Sequence, residues 1–288
     1  MNKIIKDFFL FDKYTPCILE ENFLPPPDFK ILAEKNCTDP QHPKNIKPSN
    51  VFDSRVDYLA SLDLLNKCST ETRHIKEFII KAIFPAIKNK FSFLDVGVGN
   101  GQITHSIANH FSSVTLVDPV AESLKKISLP LKNLIKINKS ILDVDLSPLS
   151  FDFILLSHVL YYIPENKFAP LLQQLYERLN KGGCLLIVIS EGLEKKQIIE
   201  DFGGHDWGLE SLILECCDFT NNIQTYHSTE FLRMANIENL TSAVSIFLDD
   251  ANVVANAQNL KKYLESFYKE NTNTYEIKLL QKYFMIKR

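Results

Sequence analysis

The ten residues Phe93-Leu94-Asp95-Val96-Gly97-Val98-Gly99-Asn100-Gly101-Gln102 constrain this chain more than any other stretch. A short apolar run breaks into three glycines, each one residue from the next, and a helix opens behind them. Glycine reaches positive φ without a steric penalty and lets a backbone or a ligand approach closely. The segment therefore reads as a strand, a tight turn and a helix start, the first half of a βαβ unit.

The pattern continues beyond it. Phe93 to Val96, Val114 to Val117, Ile135 to Ile137, Phe153 to Leu156 and Leu185 to Ile189 are short apolar runs, with helical segments expected at 101–111, 120–127 and 166–180. Strands that are apolar along most of their length and alternate with helices belong to a parallel sheet covered on both faces. The expected fold is α/β: a Rossmann-like, seven-stranded, mostly parallel sheet with helices on both faces and an N-terminal helical and loop extension. Lys181-Gly182-Gly183 is read as a structural turn before the fifth strand. Toward the C-terminus, helices are expected near 192–201, 208–217, 228–235 and 256–269, with strands near 243–248 and 278–286.

Upstream, six prolines between Pro25 and Pro48 crowd a stretch with little apolar periodicity, so residues 1–50 read as an arm, with a lid as one role for it. Residues 51–90 read as two amphipathic helices on the substrate side, the second opening after Ser69 and Thr70. Residues 91–288 form the core with substrate-side insertions near its end. No apolar run approaches the roughly 20 residues needed to cross a bilayer, and the opening MNKIIKDFFLF lacks a signal-peptide core, so the expected location is cytoplasmic. A formal net charge of -3 over 288 residues offers no basic field for nucleic acid. The six cysteines lack regular spacing and read as reduced thiols, and the seven histidines show no metal-ligand spacing. Oligomeric state is left open.

The spacing of the glycines bears on what the turn holds. A dinucleotide-binding turn wants glycines at its first, third and sixth positions counted from Gly97, and the sixth here is Gln102. Glycines at the first, third and fifth, with an acidic residue two positions earlier, form the arrangement that S-adenosylmethionine enzymes use. Asp95 would then face the amino or carboxypropyl end of that donor. Val114 to Pro119 is a second strand ending in Asp118, whose two oxygens can accept from both ribose hydroxyls. Asn100, Pro119, Ser123, Ser140 and Asp143 complete the expected donor-binding set, Asp143 being the residue placed against the adenine. Ser157 and His158 end the fourth strand and, with Tyr161 and Tyr162, should border the ligand crevice, which in open α/β sheets lies beyond the carboxyl ends of the strands.

Val159-Leu160-Tyr161-Tyr162-Ile163, Leu185 to Ser190, Tyr58 and Ser69-Thr70-Glu71 together make the chain resemble the histamine N-methyltransferases from about Phe52 to Ser190. The resemblance implies methyl transfer from S-adenosylmethionine, leaving S-adenosylhomocysteine, to a nitrogen of a small amine or imidazole-like molecule. It also implies that Glu71 contacts the acceptor amine, with Tyr58, His158, Tyr161 and Tyr162 around it. By itself Glu71 reads equally as an acid in the first turn of a helix. The chain departs from that family at His158, where the family has glutamine, and at Asp95 and Asp118, where it has serine and glutamate. No counterpart of the family's C-terminal asparagine is found near Leu280 to Phe284. His158 is a candidate base for the acceptor's proton. An oxygen or sulfur acceptor, and a noncatalytic S-adenosylmethionine-binding regulator, are the alternatives.

Overall fold

Strand residues here send alternate side chains into two different cores. In β5 (Leu179–Glu191), Leu185, Ile187 and Ile189 join one cluster while Cys184, Leu186 and Val188 join the other, and all six are buried. Period-two alternation with both faces buried is what a sheet sandwiched between helix layers requires.

The computed structural model describes residues 56–204, 208–248 and 250–288; the proline-rich arm, Cys17 and Cys37 lie outside the described residues. The chain starts with α1 (Val56–Cys68), α2 (Glu71–Phe78) and α3 (Phe84–Ala86), the last two joined by a π-helical turn at Ile79–Ile83. That wide turn precedes Pro85, which has no N–H to offer the carbonyl of Lys81. The alternating core follows: β1 (Ser92–Val96), α4 (Gln102–Ile107), β2 (Ser113–Val117), α5 (Ala121–Lys126), β3 (Asn133–Ile137), β4 (Phe151–Ser157), α6 (Phe168–Glu177) and β5. Then come α7 (Leu193–Phe202), α8 (Leu209–Cys216), β6 (Ile223–Met234), α9 (Ile237–Val244), α10 (Asp250–Leu264), β7 (Tyr268–Lys269) and β8 (Thr274–Lys287).

The sheet runs β3-β2-β1-β4-β5-β8-β6. Strands β1 to β5 are parallel, and β8 lies antiparallel between β5 and β6. Seven strands on one path were expected and are present; the two-residue β7, paired to β8, is an eighth. Because the order reverses at β1, its carboxyl end and that of β4 flank the crevice where such sheets take their ligands. A third apolar cluster, outside the two sheet faces, unites α1, α7, α9 and α10 with β6 and β8 through Leu65, Ile198, Leu240, Leu260, Leu232 and Ile277.

Two expected C-terminal elements are overturned. Of residues 228–235, expected as a helix, all but the last lie in β6, which pairs with β8 along its whole length from Ile223 to Met234. Ser228, Glu230, Leu232 and Met234 are its buried positions, a period of two that the polar pair Ser228 and Glu230 hides from a hydrophobicity pattern. Residues 243–248, expected as a strand, are the end of α9 and a 3-10 turn at Ser245–Phe247. Leu240, Ala243 and Val244 bury one helical face there, and Asn236 caps the helix by accepting from Asn239 N–H at 3.0 Å. Lys181-Gly182-Gly183 falls inside β5 rather than before it, where the pairing jumps from Phe151–Leu179 to Phe153–Cys184.

Candidate active site

Gly97, Gly99 and Gly101 all have positive φ, at 71°, 54° and 74°, but they differ in what surrounds them. A Cβ on Gly97 would lie 2.5 Å from Val159 Cγ2, and one on Gly101 would lie 2.7 Å from Ile127 Cγ1. At Gly99 it would meet only Leu62 Cδ2, at 3.7 Å. Two of the glycines are thus required by packing, while a Cβ at Gly99 would make only an ordinary van der Waals contact.

The turn is tied to its neighbours at both ends. Asp118, buried at the end of β2, accepts from Gly99 N–H at 3.1 Å and Val120 N–H at 2.7 Å. Burial pushes its carboxyl above the usual range, and those backbone donors pull the other way. Asn100 accepts from Gln102 N–H and donates to Asp63 of α1 at 3.4 Å, and Ser61 of α1 in turn bonds Ser242 of α9 at 2.8 Å. The first helix therefore reaches both the glycine turn and the C-terminal helices. Asp95 is buried one strand away, accepting from the Thr104 hydroxyl, and desolvation lifts its carboxyl to about 7.

The other residues expected on the donor side are spread along the strand ends. Ser157 Oγ is buried at the end of β4 with no hydrogen-bond partner. Ser140 caps a 3-10 turn through Leu142 N–H, and Asp143 is exposed in that turn. Pro119 is exposed and Ser123 is buried on α5.

Across the crevice, His158 has φ 58°, left-handed for a residue with a side chain, and its N–H donates to Val188 C=O at 2.9 Å. A non-glycine residue in that region carries on the order of 1–2 kcal/mol of strain, which the surrounding structure must sustain. The result is an imidazole aimed at α2: His158 Nε2 lies 2.7 Å from Glu71 Oε1. Glu71 is 5% exposed. Burial pushes its carboxyl up, but the contact with His158 and the charge of Lys195 outweigh burial and hold it below the ordinary carboxylate range.

Gln281 of β8, fully buried, brings its amide within 2.9 Å of the same Nε2. The amide nitrogen is the end that faces Nε2, and the amide oxygen is buried without a partner; because Nε2 directs its proton at the carboxylate, the contact is a hydrogen bond only with the amide turned over so that its oxygen accepts. Sequence reasoning missed Gln281. Its signal is a single uncharged polar side chain within the apolar run Leu279-Leu280-Gln281-Lys282-Tyr283-Phe284.

Tyr161 stacks near His158, with ring centroids 6.0 Å apart, but both hydrogen bonds of its hydroxyl go to the backbone of Ser190. It is a wall of the site with its proton committed. Tyr162 is 40% exposed. Tyr58 lies on α1, and its side chain is outside the described residues. Of the residues singled out in the sequence, the structure thus brings Glu71, His158 and Tyr161 together and sets Asp95, Gly99 and Asp118 on the adjoining strand ends. Among the described residues, no group of three or more histidine, cysteine, aspartate or glutamate side chains could hold a metal, and no helix is long and apolar enough to cross a membrane.

Residues 94–185 match the family model described as a methyltransferase domain. No curated protein matches the sequence. Among solved structures, the chain is similar to the YcgJ protein of Bacillus subtilis, with 13% identity, a TM-score of 0.51, and 75% of this chain and 99% of that one covered. It is also similar to the N-methyltransferase NodS from Bradyrhizobium japonicum WM9, at 13% identity, TM-score 0.43, covering 75% and 96%. The plantazolicin methyltransferase BpumL, solved with S-adenosylhomocysteine, aligns at 16% identity and TM-score 0.48, covering 82% and 92%. At such identities the likeness to YcgJ is one of fold. The matched methyltransferase domain spans the glycine turn and the carboxylate at the end of β2, and the strand order around it is Rossmann-like.

Proposed function

We infer that the chain methylates a nitrogen of a small amine or imidazole-like acceptor. The observation that carries this reading is the buried Glu71–His158 pair at the carboxyl end of β4. The donor side fits the expected cofactor: a Cβ at Gly99 would meet only one ordinary contact, Ser157 Oγ lacks a partner, and the Asp118 carboxylate keeps acceptor capacity beyond its backbone bonds. When bound, the sulfonium donor would supply an electrophilic methyl carbon, open to attack in line with the carbon–sulfur bond, with the thioether of S-adenosylhomocysteine as the leaving group.

The chain's own residues then have separate tasks. The Gly97–Gly101 backbone, Asp118 and Ser157 hold the donor, with Asn100, Pro119, Ser140, Asp143 and the buried Asp95 and Ser123 around it. Glu71 presents a carboxylate in a partly aromatic surround, where it pairs well with an ammonium. Because Glu71 takes the Nε2 proton of His158 as a hydrogen bond, the neutral ring keeps its lone pair on Nδ1, and Nδ1 receives the proton the acceptor nitrogen must lose. The acceptor nitrogen is thereby held, and freed of its proton, against the methyl carbon. Such positioning is worth up to roughly 7–11 kcal/mol of barrier when orientation is ideal.

The test is release of S-adenosylhomocysteine on incubation with S-adenosylmethionine and separate panels of amines, beginning with histamine, phenols and thiols. Turnover with amines that collapses in Glu71→Gln supports the reading. Turnover confined to phenols or thiols replaces the acceptor assignment.

A further inference from the structure

A second buried carboxylate lies behind the acceptor side. Glu230 of β6 is fully buried, and three side chains donate to it: Thr70 Oγ1 at 2.5 Å, Ser228 Oγ at 2.5 Å and His74 Nδ1 at 2.7 Å. Ser228 Oγ also lies 3.0 Å from Tyr283 Oη, and the Tyr283 ring stacks on Phe78 of α2 at 4.4 Å. Ser228 and Gln281 are register partners across β6 and β8, so Ser228, Glu230, Gln281 and Tyr283 occupy one face of the sheet, the face that α2 covers.

Two of the donors, Thr70 and His74, flank Glu71. Thr70 holds the N-cap position of α2, yet its hydroxyl does not cap the helix; it goes to Glu230. Its backbone N–H donates to Phe231 C=O, and Phe231 N–H donates to its hydroxyl, both at 3.3 Å. One helical turn on, His74 meets the other oxygen of the same carboxylate. Stability does not call for such an arrangement, since an apolar side chain of similar volume often serves as well as a buried charge. What it supplies is direction: two anchors a turn apart fix both the rotation and the height of the helix that carries Glu71.

We propose that Glu230 is a positioning residue for the acceptor site, holding the first turn of α2 through Thr70 and His74 so that the Glu71 carboxylate meets His158. This rests on the reading of Glu71 and His158 given above. A misplacement of about 1 Å at such a site costs on the order of a hundredfold in rate.

The experiment follows the 15N resonance of His158 Nε2 in histidine-labelled protein, assigned with His158→Gln, and uses S-adenosylhomocysteine calorimetry to confirm an intact donor side. Glu71→Gln sets the displacement that marks loss of the pair. Glu230→Gln is expected to produce at least half of it, with S-adenosylhomocysteine affinity held within about twofold of the parent. A resonance at its parental position in folded, S-adenosylhomocysteine-binding Glu230→Gln overturns the proposal. If Glu230→Gln does not fold, Thr70→Val and His74→Gln, each removing one anchor, are read on the same scale. Displacement in either supports the proposal, and none in both overturns it. If Glu71→Gln itself moves nothing, the Glu71–His158 reading fails first and this proposal falls with it.

Discussion

Glu71 Oε1 and His158 Nε2 meet at 2.7 Å, although one residue opens the second helix and the other ends the fourth strand. The contact depends on the left-handed backbone of His158 and on the placement of α2, so two unrelated local features converge on one hydrogen bond. If that bond sets the basic nitrogen of the ring, Glu71→Gln should lower kcat/KM for the acceptor by about a hundredfold or more, the usual scale of general-base catalysis. S-adenosylhomocysteine affinity, measured by calorimetry, should be unchanged. A parallel loss of both would make Glu71 a structural residue of the helix.

The glycine turn gives a contrast between neighbours. Gly99→Val has room for its Cβ and should fold, with a moderate loss of melting temperature from its positive φ, while S-adenosylmethionine binding disappears. Gly97→Val drives a side chain into Val159 and should yield little folded protein. Thermal melts and calorimetry on the pair would read this, and a folded Gly97→Val variant would refute the packing argument.

Asp95 makes stability pH-dependent in an unusual direction. Its carboxyl is lifted from 3.8 to about 7 by burial, so between those values the folded chain binds a proton that the unfolded chain has lost. Stability from this group is therefore full below about pH 4, falls as pH rises to about 7 and is flat above; over some three pH units that is on the order of 4 kcal/mol. Asp95→Asn removes the titration while keeping an oxygen for the Thr104 hydroxyl. Its melting temperature relative to the parent should rise between pH 5 and pH 8. Parallel curves would place the proton elsewhere.

Gln281→Leu is close to isosteric and removes an amide of which one end has no partner. The variant should be at least as stable as the parent, because replacing an incompletely satisfied buried amide by an apolar group is often neutral. Acceptor KM should nevertheless rise, since the His158 ring loses one of the two groups that fix it. Unchanged kinetics with amines would confine Gln281 to packing.

The sequence carried the donor half openly. Apolar runs buried on both faces, glycines with positive φ and an acid at a strand end each have a local cause, and they lie within thirty residues of one another, Phe91 to Pro119. Glu71 was visible only by resemblance, because nothing local separates an acceptor-binding acid from one at a helix start. Gln281 shows in the sequence only as a polar interruption of an apolar run, and Glu230 not at all. Each takes its meaning from a strand pairing, β8 against β5 and β6, that brings it to residues far away in the chain. Glu230 was further masked because a buried polar position breaks the hydrophobic alternation by which a strand is recognised.

The place of β8 between β5 and β6 also imposes an order on manufacture. A ribosome delivers the methyltransferase core, residues 94–185, well before Thr274–Lys287, and domains tend to fold as they emerge. Until that last strand arrives, β5 presents an open edge, β6 has no place in the sheet, and neither Gln281 nor a seated Glu230 is available to the other half of the site. Under the proposed function, the nascent protein acquires its pocket for the methyl donor before it acquires the machinery to choose what receives the methyl group.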